Sequence, residues 1–158
     1  MLFILFHLGN DRYALDSRQV IEVVPMVILK RLPNAPNYVG GLFRYRGVVV
    51  PVIDLCALIR NAPCSRLLSS RIVLVSYPGS DGRKHVLGLM AERIVETLTA
   101  CEADLAPSGI DLNESPYLGK IICREQEMIQ CIRIEHLLPD SLRSTLFQDG
   151  GDEKAEGS

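Results

Sequence analysis

Short apolar runs rich in β-branched residues alternate with turn signals from one end of this chain to the other. Residues 2–8 read as a strand, Gly9-Asn10-Asp11 as a turn, and residues 12–15 as its antiparallel partner. Asp16 or Ser17 can cap a single turn through 18–20, with Asp16 to Gln19 in capping-box spacing, and 21–24 is extended because Pro25 disfavours helix before it. Residues 27–32 read as another short strand, and Pro33, Ala35 and Pro36 stiffen a connector into Asn37-Tyr38-Val39. Residues 71–77 and 84–90 flank the turn Pro78-Gly79-Ser80-Asp81-Gly82, and 94–98 continue that sheet. A polar connector without periodicity covers 101–116; 117–123 and 127–132 make a last hairpin around Arg124-Glu125-Gln126. Short helical pieces follow at 134–138 and 142–147. Nine or ten short strands joined by turns exclude a doubly wound α/β fold and predict an all-β architecture of small barrels or a sandwich.

The chain is organised around residues 40–55. Leu42, Phe43 and Tyr45 alternate loosely with Arg44 and Arg46, as in a half-buried strand. Gly47 permits a positive φ, and Val48-Val49-Val50 resumes a β-branched run. Pro51 lacks an N–H, so the second strand is an edge or bends there. Asp54 is placed to cap a brief helix over 55–60. The corner sets Arg46 beside a glycine turn on a hairpin, a geometry that presents a charge and supplies no nucleophile.

Composition narrows the function classes. Of 158 residues, 47% are apolar and 23% charged, as in an ordinary globular protein with one domain or two small lobes. A formal charge of −2 leaves no electrostatic footprint for nucleic acid or an anionic membrane. No stretch approaches the roughly 20 apolar residues that span a bilayer, and residues 1–6 lack the basic start and cleavage site of a signal peptide. Cys56, Cys64, Cys101, Cys123 and Cys131 are odd in number and form no C-x-x-C pair. Neither a disulfide framework nor a zinc site is expected from that spacing, and a reducing cytoplasm is. His7, His85 and His136 are scattered, and no motif of a hydrolase, P-loop enzyme or dinucleotide-binding enzyme occurs. Gly79-Ser80-Asp81-Gly82 joins two strands and opens no helix, so it is not read as a phosphate loop. The expectation is a protein that is not an enzyme and needs no cofactor or metal.

Leu32-Pro33-Asn34-Ala35-Pro36-Asn37-Tyr38-Val39-Gly40-Gly41, followed by Tyr45-Arg46-Gly47 and Val50-Pro51-Val52-Ile53-Asp54-Leu55, resembles the signature of CheW-type coupling proteins. These are adaptors that join chemoreceptors to a CheA-type histidine kinase in bacteria. Supporting matches are Phe6-His7-Leu8-Gly9, Tyr13-Ala14-Leu15-Asp16, Gln19-Val20-Ile21-Glu22-Val23, Val86-Leu87-Gly88-Leu89-Met90 and residues 128–138. Together they cover about residues 3–140, in the family's order. The resemblance implies two small five-stranded SH3-like β-barrels side by side, with the chain crossing between them. It implies one CheW-like unit over 1–147; the loop near 61–70, with Pro63, Cys64 and serines, reads as a soft change of unit, and the charged, Gly-rich composition of 148–158 as a disordered acidic tail.

The resemblance also nominates partner-binding residues. Arg46 matches the family's arginine at the partner contact; alternatively it pairs locally with a carboxylate such as Glu22 and holds the corner in shape. Gly41 and Gly88 correspond to a receptor-binding groove between the lobes, or serve backbone geometry alone. Val20 and Glu22 correspond to a Val-x-Glu on the receptor-facing side, or are a core residue and a solvated charge. Ile94 and Leu98 follow Gly88 on the same strand and fit core packing better than an interface. The expected partners are the kinase's regulatory domain, the cytoplasmic tip of a methyl-accepting receptor, and other CheW-like domains, at receptor arrays in the cytoplasm. Where the family has Asn-Leu before Arg-Gly, this chain has Arg44-Tyr45, which points to a paralogous, non-flagellar pathway with its own receptor and kinase. Two other readings are a stand-alone SH3-like peptide binder, poorly furnished with 6% aromatics and no tryptophan, and a fragment of a CheV- or CheA-type protein.

Overall fold

The computed structural model describes residues 1–65, 70–79, 82–107 and 115–147, so the tail over 148–158 lies outside the described residues, as do parts of the 61–69 loop and the 101–116 connector. Ten strands are present among the described residues: β1 Leu2–Leu8, β2 Asp11–Asp16, β3 Val20–Pro25, β4 Val39–Tyr45, β5 Val48–Asp54, β6 Arg71–Pro78, β7 Lys84–Thr99, β8 Leu105–Ala106, β9 Leu118–Arg124 and β10 Glu127–Ile132. Helix α1 (Leu55–Arg60) follows β5 and α2 (Asp140–Leu146) ends the described fold; single 3-10 turns lie at Ser17–Gln19, Glu102–Asp104 and Ile134–His136.

The strands form two sets that share one member. The first runs β3-β6-β7-β5-β4, antiparallel except where β5 meets β7. Its ends are drawn together by the bridge between Lys30, downstream of β3, and Leu42 on β4. The second runs β7-β1-β2-β10-β9-β8, with β2 and β10 parallel. The 16-residue β7 pairs with β6 through Lys84–Ala91 and with β1 from Glu92 onward. Sequence periodicity split this strand at 90–94; the break is a bulge, marked by the register shift between Leu5 and His7 and by Arg93 at φ +52°.

Burial accounts for the sequence pattern. Ile72 and Leu74 of β6 point into the first barrel with Val50, Val52 and Met90, whereas Val73, Val75 and Tyr77 point into a larger core between the two sets with Phe6, Leu8 and Leu89. A strand buried on both faces reads as an unbroken apolar run. Phe3, Leu5, Ile122 and Ile129 fill the second barrel.

Several expectations are corrected. Residues 27–32 contribute the single bridge at Lys30 and no strand: Val27 and Leu29 pack on the first barrel's core and Ile28 is 94% exposed, but the run pairs with β4 at Lys30 alone. The 101–116 connector is partly ordered: Asp104 accepts from the Cys101 N–H at 3.0 Å, closing a 3-10 turn that leads into β8 on β9. The Asp16 cap forms, its carboxylate accepting from the Arg18 N–H at 3.0 Å, but Gln19 points instead to Glu135. On either side of residues 61–70, β5 and α1 before and β6 after all pack on β7 within the first set. The chain changes set at Ser17–Gln19 and within β7. Counting the two-residue β8 and the shared β7, the second set has six strands among the described residues.

Candidate functional site

The β4–β5 corner is a two-residue turn in which both residues have positive φ, Arg46 at +50° and Gly47 at +81°. That combination gives the right-handed strand twist a hairpin needs. Gly47 adopts it freely, whereas Arg46 is a non-glycine residue in a left-handed conformation that costs about 1–2 kcal/mol. Sequence reasoning did not anticipate this second positive φ, because arginine gives no turn signal. Pro51 fits in β5 because Leu42 opposite it directs both its N–H and C=O to Lys30, so β4 asks no hydrogen bond of position 51.

Around the corner three predicted residues meet. The Tyr45 hydroxyl donates to Glu22 Oε1 across from β3, and Arg46 Nη2 lies 3.4 Å from the same oxygen. The Arg46 guanidinium also sits 5.1 Å from the Tyr45 ring centroid, within cation–π range. Donation to Glu22 raises the Tyr45 pKa, burial and the Glu22 charge push the same way, and Arg46 opposes them. Tyr45 therefore stays a neutral donor at physiological pH. Arg46 remains 76% exposed and Glu22 40%, so the ion pair adds only about 0–1 kcal/mol to stability. Its effect is to aim the guanidinium.

Arg44 is exposed on β4 opposite Val49, and Val48 and Val49 are 52% and 61% exposed. Ile21 and Val23 face outward on β3, beside Glu22 in sequence. Arg44 opposite the exposed Val49 has the composition of a protein–protein contact, whereas Ile21 and Val23 alternate with Glu22 along β3 and face away from it. The two β3 residues were missed from sequence because residues 20–24 are apolar at every position but Glu22, and the run does not say which face is out.

The other nominated residues lie elsewhere. Val20 is half-buried, paired with Val75, and packs on the central core. Gly41 and Gly88 are buried inside the first barrel and offer no surface to a partner. A Cβ on Gly41, at φ +136°, would come within 2.5 Å of the Lys30 carbonyl; one on Gly88 would meet Ile72 and Val52 methyls at 2.9 and 3.0 Å. Close backbone approach accounts for both glycines. Ile94 packs on the central core and Leu98 on the second barrel's core. A cavity of about 790 Å³, lined by Phe3, Arg18, Leu118, Ile132 and Arg133 among others, belongs to the second set and touches none of the nominated residues. Ligand-type atoms of Asp54, Cys56 and Cys64 converge within 4.8 Å of one another below β5.

The corner of the first barrel thus holds an exposed arginine beside exposed valines on a short turn. The comparisons say which kind of protein carries it. The chain belongs to the CheW-like domain family, whose model matches residues 2–142. Chemotaxis protein CheW of Helicobacter pylori is 26% identical over 137 residues, covering 86% of this chain and 80% of that protein. Protein FrzA of Myxococcus xanthus is 28% identical over 139 residues, covering 86% and 84%. The crystal structure of the scaffolding protein TtCheW from Thermoanaerobacter tengcongensis superposes with a TM-score of 0.76, at 26% identity, over 87% of both chains. The fold is thus the mainly-β, SH3-like architecture that the sequence implied, and the chain is a chemotaxis-type adaptor in signal transduction.

Proposed function

We propose that this protein is a non-catalytic adaptor that couples a methyl-accepting chemoreceptor to a CheA-type histidine kinase on the cytoplasmic face of a bacterial chemosensory array. The observation that carries this reading is the Glu22–Tyr45–Arg46 cluster, which orients an exposed cation without contributing much to the fold. The kinase's regulatory domain docks at the corner, where Arg46, Arg44 and the exposed valines are joined. The receptor's helical tip enters between the two barrels in a helix-in-groove mode. Each contact is small, and the array strengthens it by multivalency. Receptor state then biases kinase activity because one body touches both. Among the described residues no helix is long and apolar enough to cross a membrane; in this reading the receptor brings the adaptor to the membrane.

Titration calorimetry with the regulatory domain of a candidate CheA-type kinase tests the reading. Saturable binding at micromolar strength, abolished by Arg46→Glu with unfolding unchanged, is the expected result. Absence of binding to that domain and to a receptor tip fragment overturns it. Arg44 and Tyr45 select a dedicated kinase in a paralogous pathway; equal capture of that kinase and of the main chemotaxis kinase counts against this selectivity.

A further inference from the structure

We propose that Cys56 and Cys64 are a paired-thiol site that closes to an intramolecular disulfide by exchange with a small-molecule disulfide. Their sulfur atoms lie 2.8 Å apart although the residues are eight positions apart in the chain. The approach is built by the backbone. Helix α1 ends at Asn61 in a left-handed conformation, φ +61°, which turns the chain back along the helix. Asp54 then fastens both arms: one carboxylate oxygen accepts from the Ala57 N–H and the other from the Cys64 N–H, each at 3.1 Å. The next residue is held too, the Ser65 N–H donating to Glu92 Oε2 at 2.6 Å. Two buried carboxylates thus fix the loop segment carrying Cys64 against the helix carrying Cys56.

The surroundings give the two thiols different access. Cys56 is fully buried, whereas Cys64 is half-buried and lines a cavity of about 320 Å³ with Pro36, Asn37, Gly40 and Met90. A small reagent meets Cys64 first. The Cys64 thiolate attacks one sulfur of RS–SR, forming a mixed disulfide and releasing RS⁻, which takes up the proton Cys64 gave up. The Cys56 proton passes towards the Glu92 carboxylate, whose pKa the nearby thiol helps to lower. Cys56 then attacks the Cys64 sulfur and expels the second RS⁻, which is protonated in turn. Two protein thiols and one small disulfide become one protein disulfide and two RSH. The hydrogen bond to Cys56, burial and the Asp54 charge all hold Cys64 protonated, so the exchange is slow at neutral pH. A zinc site from the same residues fits less well. Two thiolates on one tetrahedral zinc stand about 3.8 Å apart, and both Asp54 oxygens already accept backbone N–H groups.

The test uses the full-length reduced protein, oxidised glutathione at mildly alkaline pH, an acid quench and peptide mapping. The expected product is a cross-linked Cys56–Cys64 peptide pair without bound glutathione. It is reversed by dithiothreitol and accompanied by a higher melting temperature, because the cross-link restricts the unfolded chain. Exposed Cys101 and Cys123 report that the reagent acted. Cys64→Ser, checked for folding by circular dichroism, leaves Cys56 unmodified. A stable glutathione adduct on Cys64 with Cys56 free, or both thiols free once Cys101 and Cys123 have reacted, overturns the proposal. So does tight zinc binding by the reduced protein that Cys64→Ser removes.

Discussion

Glu22 and Glu92 each accept hydrogen bonds from groups far away in sequence, yet they belong to regions with opposite purposes. Glu22 is 40% exposed at the hairpin corner and serves two side chains, Tyr45 and Arg46. Glu92 is 6% exposed at the bulge of β7 and serves two backbones, the Gly9 N–H at 3.1 Å and the Ser65 N–H at 2.6 Å. The first carboxylate fixes the direction of a charge that remains in water. The second ties the β1–β2 turn of one barrel and the loop after α1 of the other to the strand both barrels share. A side chain that aims another side chain can be removed with little loss of fold; one that satisfies partly buried backbone donors of two separate loops costs more to lose.

The largest expected effect follows from that contrast. Glu92→Ala leaves two backbone N–H groups without their acceptor and destabilises the protein by about 3 kcal/mol, read as a lowered urea midpoint, whereas Glu22→Ala shifts it by less than about 1 kcal/mol. Equal midpoints for the two variants would break the comparison. Gly88→Ala comes next. Its Cβ meets the Ile72 and Val52 methyls inside a packed barrel, so overpacking costs about 1–3 kcal/mol, and kinase binding per folded molecule is unchanged. Loss of binding at full stability would return Gly88 to the interface.

The difference between the regions also explains how far the sequence could be read. Strand identity was legible because turn residues such as Pro78, Gly79 and Gly82 punctuate the β-branched runs, and the Asp54 cap because its spacing to α1 is local. The resemblance supplied the paired barrels, which periodicity alone left open against a sandwich. Arg46–Glu22 was foreseen as one of two alternatives. Glu92 was passed over because its partners, Gly9 and Ser65, are 83 and 27 residues away. Cys56 and Cys64 were read as unpaired because the Asn61 reversal that joins them leaves no spacing motif. Gly41 and Gly88 matched family positions, but only packing reveals that they face inward.

Acidification tests the tied carboxylate, Glu92, more gently. Burial alone raises the Glu92 pKa, but the N–H bonds from Ser65 and Gly9 outweigh it and hold the folded value below the ordinary one. The unfolded chain therefore binds more protons. The contribution is complete above the ordinary glutamate value of about 4.3 and is lost as pH falls through the lowered folded value. Asp16, lowered chiefly by its bond to Arg18, and Asp104, lowered chiefly by the Cys101 N–H, act with the same sign. Thermal melts from neutral to acid pH should show Glu92→Gln with a shallower acid loss than the parent. Parallel curves would place the acid sensitivity in the other carboxylates.

The smallest effect on stability falls where the largest effect on partners is expected. Arg46→Gly relieves a left-handed non-glycine residue, a gain of about 1–2 kcal/mol. It loses an exposed ion pair of about 0–1 kcal/mol and a cation–π contact of about 0.5–1 kcal/mol, so the two sides nearly cancel. Arg46→Asn tolerates the same backbone and removes the same contacts, so both variants should unfold within about 1 kcal/mol of the parent by urea titration. If Arg46 is a partner's anchor, both weaken kinase binding by about 2 kcal/mol or more, roughly thirtyfold in affinity. Should Arg46→Asn instead lower the urea midpoint while binding per folded molecule is retained, the corner would be structural in the manner of Glu92. The contrast between a charge that is aimed and a carboxylate that is tied would then collapse into one role.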